Sequence, residues 1–220
     1  MSQTVSVFSG FSPQDIFYLG EAAARTLLIS LLSISIGTLF GAIFGWVLSE
    51  GRLWSRAILN PILDIFRSIP LIVQLVLFYN FVPIIGLNLD AFESGLIVLT
   101  LYTASLVANV ARGGIEAVTR PMRRAARSLG MTYWQDIFYV VLPIGGRAVF
   151  PSWVGVALGV LKDSALVSVL GYVELVKASQ VLMTRTQEPL LIIAVVGAFY
   201  FALSYPISRY SAKLEERWSQ

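Results

Sequence analysis

Lys162 and Asp163 stand side by side within an otherwise apolar stretch, followed directly by Ser164. A charged side chain in hydrocarbon costs about 3 kcal/mol on insertion scales, so such residues are functional candidates by default. Gln74, Asn80, Thr100, Thr103 and Ser105 are further polar side chains in apolar runs. Interhelical hydrogen bonding is the commoner role for such groups, and lining a polar path is the rarer one. Gln74 and Asn80 lie six apart, so they do not share a helix face closely. The second chemical feature is a basic cluster, Arg120, Arg123, Arg124 and Arg127. The chain has no His and no Cys. That excludes thiol catalysis, the common zinc sites, His-ligated haem and His acid–base chemistry. No Gly-x-x-x-x-Gly-Lys-Ser/Thr phosphate loop occurs, so the usual route to ATP hydrolysis is absent from this chain. These residues suit binding and mechanical contact rather than covalent catalysis.

The elements that carry them are set by composition. Of 220 residues, 56% are hydrophobic and 13% charged, against about 25% charged in an average soluble domain. The charges cluster between long apolar runs, the profile of a polytopic membrane protein. Five runs approach the roughly 20 residues a helix needs to span hydrocarbon. They are residues 22–48, 58–82 (broken by Pro61 and Pro70), 95–111, 148–170 (interrupted by Lys162 and Asp163) and 190–207 (with Pro206 near its end). The first run is too long for a secretory signal and lacks a basic leader, so it reads as uncleaved. Arg52, Arg56 and Arg67 follow the first run. Six arginines from Arg112 to Arg147 follow the third, and Arg209, Lys213 and Arg217 follow the fifth. The connection 83–94 has no Lys or Arg. The positive-inside rule then predicts an N-out, C-in chain with the arginine-rich loop in the cytoplasm. Residues 1–21 form an external N-terminal segment, in which Ser6 to Leu19 suits an interfacial helix or a loose tail. Residues 22–220 form one transmembrane unit. Gly37, Gly41 and Gly45, and Gly155 with Gly159, recur every four residues. Close packing within the chain is the commoner reading of such a stripe, and a subunit interface the other. Trp46, Trp54 and Trp153 fit interfacial belts.

The loop 116–146 has helical order of its own. Pro121 suits the first turn of a helix. Met122, Ala125, Ala126 and Leu129 make an i, i+3, i+4, i+7 apolar stripe beside Arg123, Arg124 and Arg127. Gly130 ends that helix as a C-cap glycine, with Met131 next. Thr132 with Gln135 forms a capping box for a second short helix, 133–140, which Leu142–Pro143 stops. Such a segment either lies on anionic headgroups or docks on a cytoplasmic partner; the residues alone leave both open.

Arg124-Ala125-Ala126-Arg127-Ser128-Leu129-Gly130, then nine residues, then Val140-Val141-Leu142-Pro143, resembles the E-A-A-x-x-x-G-x9-I-x-L-P loop of ABC-importer permeases. Phe66-Arg67-Ser68-Ile69-Pro70-Leu71 is similar to the F-R-S-I-P-L of the polar amino-acid uptake subfamily. Residues 109–115 are similar to its E-x-x-R-G-G-I, and residues 161–171 to its L-K-D-T-S-L-V-S-V-I-G. Two positions depart. Arg124 stands where the family usually has Glu, and Asn109 where the subfamily often has Glu.

The resemblance implies an all-α polytopic membrane protein, the type I ABC-importer permease fold of about five transmembrane helices with a cytoplasmic coupling-helix loop. It implies the membrane subunit of an ATP-driven importer of polar amino acids in a bacterial inner membrane. Met122, Arg123, Arg124, Ala125, Ala126, Arg127, Leu129, Gly130 and Met131 would form the ATPase-coupling loop, with Gly130 and Pro143 at the ends of a lever. The implied partners are an ATPase subunit dimer, a second permease chain (identical or homologous) and a periplasmic or tethered substrate-binding protein, with no nucleic acid. No cofactor is implied for this chain; ATP and Mg would be bound by the ATPase. Gln74, Asn80, Lys162, Asp163 and Ser164 are the substrate-path candidates. The adjacent Lys and Asp can complement a zwitterionic amino acid, but the pair is generic to the subfamily, which favours a role in shaping the helix. An ion-coupled secondary transporter is the alternative, and it predicts inverted repeats and more carboxylates at mid-depth.

Overall fold

The computed structural model describes residues 10–218, all helices and connections among them. Residues 6–9 of the expected interfacial segment lie outside this range. Helix α1 runs over Pro13–Glu50. It opens with Pro13 in its first turn, and the Ser12 N–H donates to the Asp15 carboxylate at 2.8 Å. Residue 22, the expected start of the first apolar run, falls inside α1, whose first turns are residues 13–21. Local capping outweighs the drop in hydropathy there.

Helix α4, Ala91–Ala117, is capped reciprocally by Asp90 and Glu93 and packs along α1. Gly37, Gly41 and Gly45 make the seam. A Cβ added at each would lie 2.6 Å from the Cβ of Thr103, Val107 and Ala111 in turn. The stripe is intrachain packing, as the commoner reading holds. Gly155 and Gly159 differ, since an added Cβ there meets nothing within 4 Å.

Helices α2, Leu53–Ser68, and α3, Leu71–Phe81, are bent by 104° relative to one another when α3 is taken through to Ile85. The break falls at Pro70 alone, and α2 continues through Pro61, contrary to the expectation that both prolines interrupt the run. Ile69 before Pro70 is extended, as a residue preceding proline prefers. Gln74 of α3 repairs the break, its Nε2 donating to the carbonyls of Phe66 and Ile69, both at 2.7 Å. The mid-helix Pro61 removes one bond, which membrane helices tolerate.

Helix α5, Arg120–Ser128, ends at Gly130 with φ +86°, the left-handed turn a glycine takes without strain. Helix α6, Tyr133–Asp136, is capped by Thr132 and Gln135 as expected. It does not stop at Leu142–Pro143. A π-helical turn, Ile137–Val141, carries it into α7, Leu142–Asp163, so that Tyr133–Leu170 is one candidate span. The Leu142 N–H donates five residues back, to Ile137. This widened turn seats Pro143 in the first turn of α7, where its missing N–H costs little. After Asp163 the chain tightens to a 3-10 helix, Ser164–Leu170, closed by Gly171 at φ +92°. The interruption expected at Lys162–Asp163 is this change of helix type. Helix α8, Leu175–Thr186, occupies a stretch expected only as a connection. Helix α9, Pro189–Trp218, passes through Pro206 and is longer than its apolar run.

Among the described residues, four helices are long and apolar enough to cross a membrane, five if the bent pair is one span. Their ends sort into two groups. At one, Glu50 meets α5 and α6, and Trp218 meets Phe150 of α7 edge to face at 5.4 Å. At the other, Asp15 pairs with Arg185 and Phe92 packs on Tyr172 at 5.5 Å. Between them lies a core of Ile29, Leu71, Leu75, Val98, Leu99 and Val167.

Candidate coupling site

The basic cluster divides once it is folded. Arg123 turns inward, its Nε donating to Asp136 at 2.9 Å while Nη1 pairs with Glu50. Asp136 is fully buried. Glu50 also accepts from the Tyr133 hydroxyl at 3.4 Å, and that hydroxyl accepts from Trp46 Nε1 at 2.9 Å. Hydrogen bonding to Glu50, and next to Asp136, holds the Arg123 guanidinium protonated more firmly than usual, against the opposing effect of burial. Arg127 lies over the Tyr133 ring at 5.4 Å and within 3.9 Å of Asp136. One arginine thus ties α5 to the end of α1 and to the root of the α6–α7 span. Arg120 and Arg124 remain exposed, and among the described residues no carboxylate pairs with either.

The apolar stripe of α5 is split in the same way. Ala126 alone is buried; Ala125 is exposed, Met122 is 45% exposed and Leu129 83%. Apart from Ala126, the stripe stays exposed. A nine-residue helix held by one edge is a rigid projection rather than a core element.

The substrate-path candidates are dispersed. Gln74 is buried and committed to the α2–α3 break, and Asn80 is exposed with its Nδ2 donating to Val76 of its own helix at 2.7 Å. Ser164 is buried, its hydroxyl donating to Leu161 at 2.8 Å and lying 3.0 Å from Ser30. Lys162 is exposed and Asp163 half-buried. Among the described residues, neither closes a salt bridge. The 3-10 segment packs against α3 through Val167, Leu71 and Leu75, so Gln74 and Ser164 lie on neighbouring elements without sharing a contact.

Sequence reasoning missed a buried carboxylate at the opposite end. Glu174 caps α8, accepting from the N–H groups of Val176 at 2.9 Å and Lys177 at 2.7 Å, with Thr26 of α1 at 3.4 Å. Burial pushes its carboxyl above the usual range, partly offset by those donors. The Leu175 N–H donates to the same Thr26 hydroxyl at 3.0 Å, which fixes α8 on α1. The available signal was an acidic residue preceding a helical run. It also missed the Glu50–Arg123–Asp136 pairing, whose members are 73 and 13 residues apart.

Known proteins resemble this chain in sequence and fold. The probable glutamine ABC transporter permease protein GlnP of Bacillus subtilis (strain 168) is 26% identical over 214 residues, 94% of this chain and 96% of its own length. A second probable glutamine ABC transporter permease of that organism, GlnM, is 32% identical over 154 residues, 70% of this chain and 71% of its own. Among solved structures, an amino acid ABC transporter crystallised with histidines superimposes with a TM-score of 0.81 at 29% identity. That match covers 90% of this chain and 93% of the other. Residues 23–219 match the binding-protein-dependent transport system inner membrane component, and this multi-pass inner-membrane chain belongs to that family of ABC-importer permeases.

Proposed function

We propose that this chain is the permease subunit of an ATP-driven importer of polar amino acids, driven by a separate ATPase dimer through α5. The observation that carries the reading is the state of α5. One edge is clamped by Arg123 to Glu50 and Asp136, while Met122, Ala125 and Leu129 stay exposed, Leu129 almost wholly so. A push on α5 reaches α1 through Glu50 and the α6–α7 span through Asp136. The loop 116–146 is then the coupling loop, its end of the bundle is cytoplasmic, and the chain is N-out and C-in. ATP and Mg belong to the ATPase. A second permease completes the path, and a periplasmic or tethered binding protein delivers substrate to the end that holds Asp15 and Arg185. The glutamine permeases it resembles and the amino acid transporter structure support this substrate class.

Of the five path candidates, Gln74, Asn80 and Ser164 are engaged by backbone, which leaves Lys162 and Asp163 with uncommitted charges at the change of helix type. Those charges suit the carboxylate and ammonium of an amino acid. The test is uptake of labelled glutamine into proteoliposomes holding both permeases, the ATPase and the binding protein. ATP-dependent accumulation that survives collapse of ion gradients is expected. Accumulation driven by an ion gradient without ATP would overturn the reading in favour of a secondary transporter.

A further inference from the structure

The outward face of α5 has a charge pattern that specifies its partner more closely than docking alone requires. Arg120 and Arg124 are four apart, one above the other on a helix face. Arg123, three residues from Arg120 on the same basic side, is paired inside the chain with Glu50 and Asp136, Arg127 is drawn toward Asp136 and Tyr133, and all four arginines border one concavity with Glu50. Arg120 and Arg124 are exposed, and among the described residues no salt bridge holds either. On the other side of the helix lie Met122 and Leu129, 45% and 83% exposed, with exposed Ala125 between the two sides. The buried edge, Ala126 with Arg123, is held against α6, the π turn and the end of α1, which leaves both sides of the helix open. A cleft that grips the helix meets both sides at once, whereas a flat bilayer surface meets one, which favours a protein partner.

Resting on the coupling role proposed for α5, we infer that the ATPase cleft receiving it is acidic on one wall: an apolar wall seats Met122 and Leu129, and carboxylates on the facing wall meet Arg120 and Arg124. A neutral or basic wall would leave two guanidiniums desolvated without partners on docking. The inference separates the two arginine pairs by function. Arg123 and Arg127 position the helix, and Arg120 and Arg124 select the partner.

The test is zero-length coupling in the purified complex of this chain with its co-expressed ATPase. Arg120→Lys and Arg124→Lys keep the charge and supply an amine that a carbodiimide joins only to a touching carboxylate. A Leu129→Cys variant, specific because the chain has no native Cys, reports docking independently through a short thiol-to-amine cross-linker. The expected result is an amide between the Arg124→Lys side chain and an Asp or Glu of the ATPase. Arg120→Glu with Arg124→Glu should then lower retention of the ATPase by about tenfold. Leu129→Cys products with the ATPase but no amide from either lysine variant would overturn the acidic wall and leave the coupling role standing. Amides formed with the carboxylate of phosphatidylserine instead would overturn it and assign the face to the bilayer. No ATPase product from any variant would overturn the coupling role and the acidic wall together.

Discussion

The seam between α1 and α4 and the platform formed by α5 use small and charged residues to opposite ends. In the seam every small residue is consumed: Gly37, Gly41 and Gly45 each receive a residue of α4, and nothing is left over. In α5 one edge is consumed, through Ala126 and Arg123, and the other is left open. The difference teaches how to tell a residue that builds the fold from one that serves a partner. The same residue type appears on both sides of the line, and only the inventory of contacts within the chain separates them.

The largest expected effect is at the seam. Gly41→Leu adds a side chain where even a Cβ lies 2.6 Å from Val107, and should cost more than about 3 kcal/mol. The folded yield in mild detergent, followed by size-exclusion chromatography, should collapse. Arg123→Met comes next, because it leaves Glu50 without its cation and buried Asp136 with only the longer 3.9 Å approach of Arg127. With Arg123 and Glu50 17% and 22% exposed, the loss in stability should be about 2 kcal/mol rather than the larger cost of a fully buried pair. It should be read as a lowered melting temperature together with faster proteolysis between residues 117 and 133. Gly130→Ala forces a side chain into the left-handed turn and should cost about 1 kcal/mol, reducing uptake more than it reduces expression.

Glu174→Gln sharpens the contrast through pH. The folded-state pKa of Glu174 is raised by burial, so folding favours its protonated form. Its contribution is fully present below the unfolded pKa and is lost as pH rises through the folded value. The melting temperature of the Gln variant relative to wild type should therefore climb from acidic to neutral pH, and a difference independent of pH would refute the sign. The smallest effect is expected at Gly155→Ala, which meets open space within the chain. Its stability should stay within about 0.5 kcal/mol of wild type, in direct contrast to Gly41.

Much of this was legible in the sequence because it is local. Pro121, Gly130 and the Thr132–Gln135 box delimit α5 and α6 by capping chemistry that needs only near neighbours. The i, i+4 glycines announced close packing. What was not legible depends on geometry between distant residues. Pro143 read as a stop, yet a π turn seats it in the first turn of α7. Which proline bends the α2–α3 run was settled by Gln74, whose amide caps carbonyls from the other side of Pro70. In the site, the spacing marked α5 as amphipathic but not which half of its stripe is buried. That follows from Asp136 reaching Arg123 across the Gly130 turn, a meeting no periodicity encodes. Glu174 looked like one acid in a mixed connection, because its burial depends on Thr26 in a different helix.

The central claim is that α5 passes the work of a separate ATPase to the spans, and a substitution on its open face tests it most directly. Leu129 is 83% exposed and ties nothing in the chain together, so Leu129→Asp should leave folding intact. ATP hydrolysis and labelled-glutamine uptake would be measured in the same proteoliposomes, beside wild type. The account predicts that uptake per ATP hydrolysed falls by about tenfold or more, with melting temperature unchanged. Uptake equal to wild type, at equal hydrolysis, would contradict it.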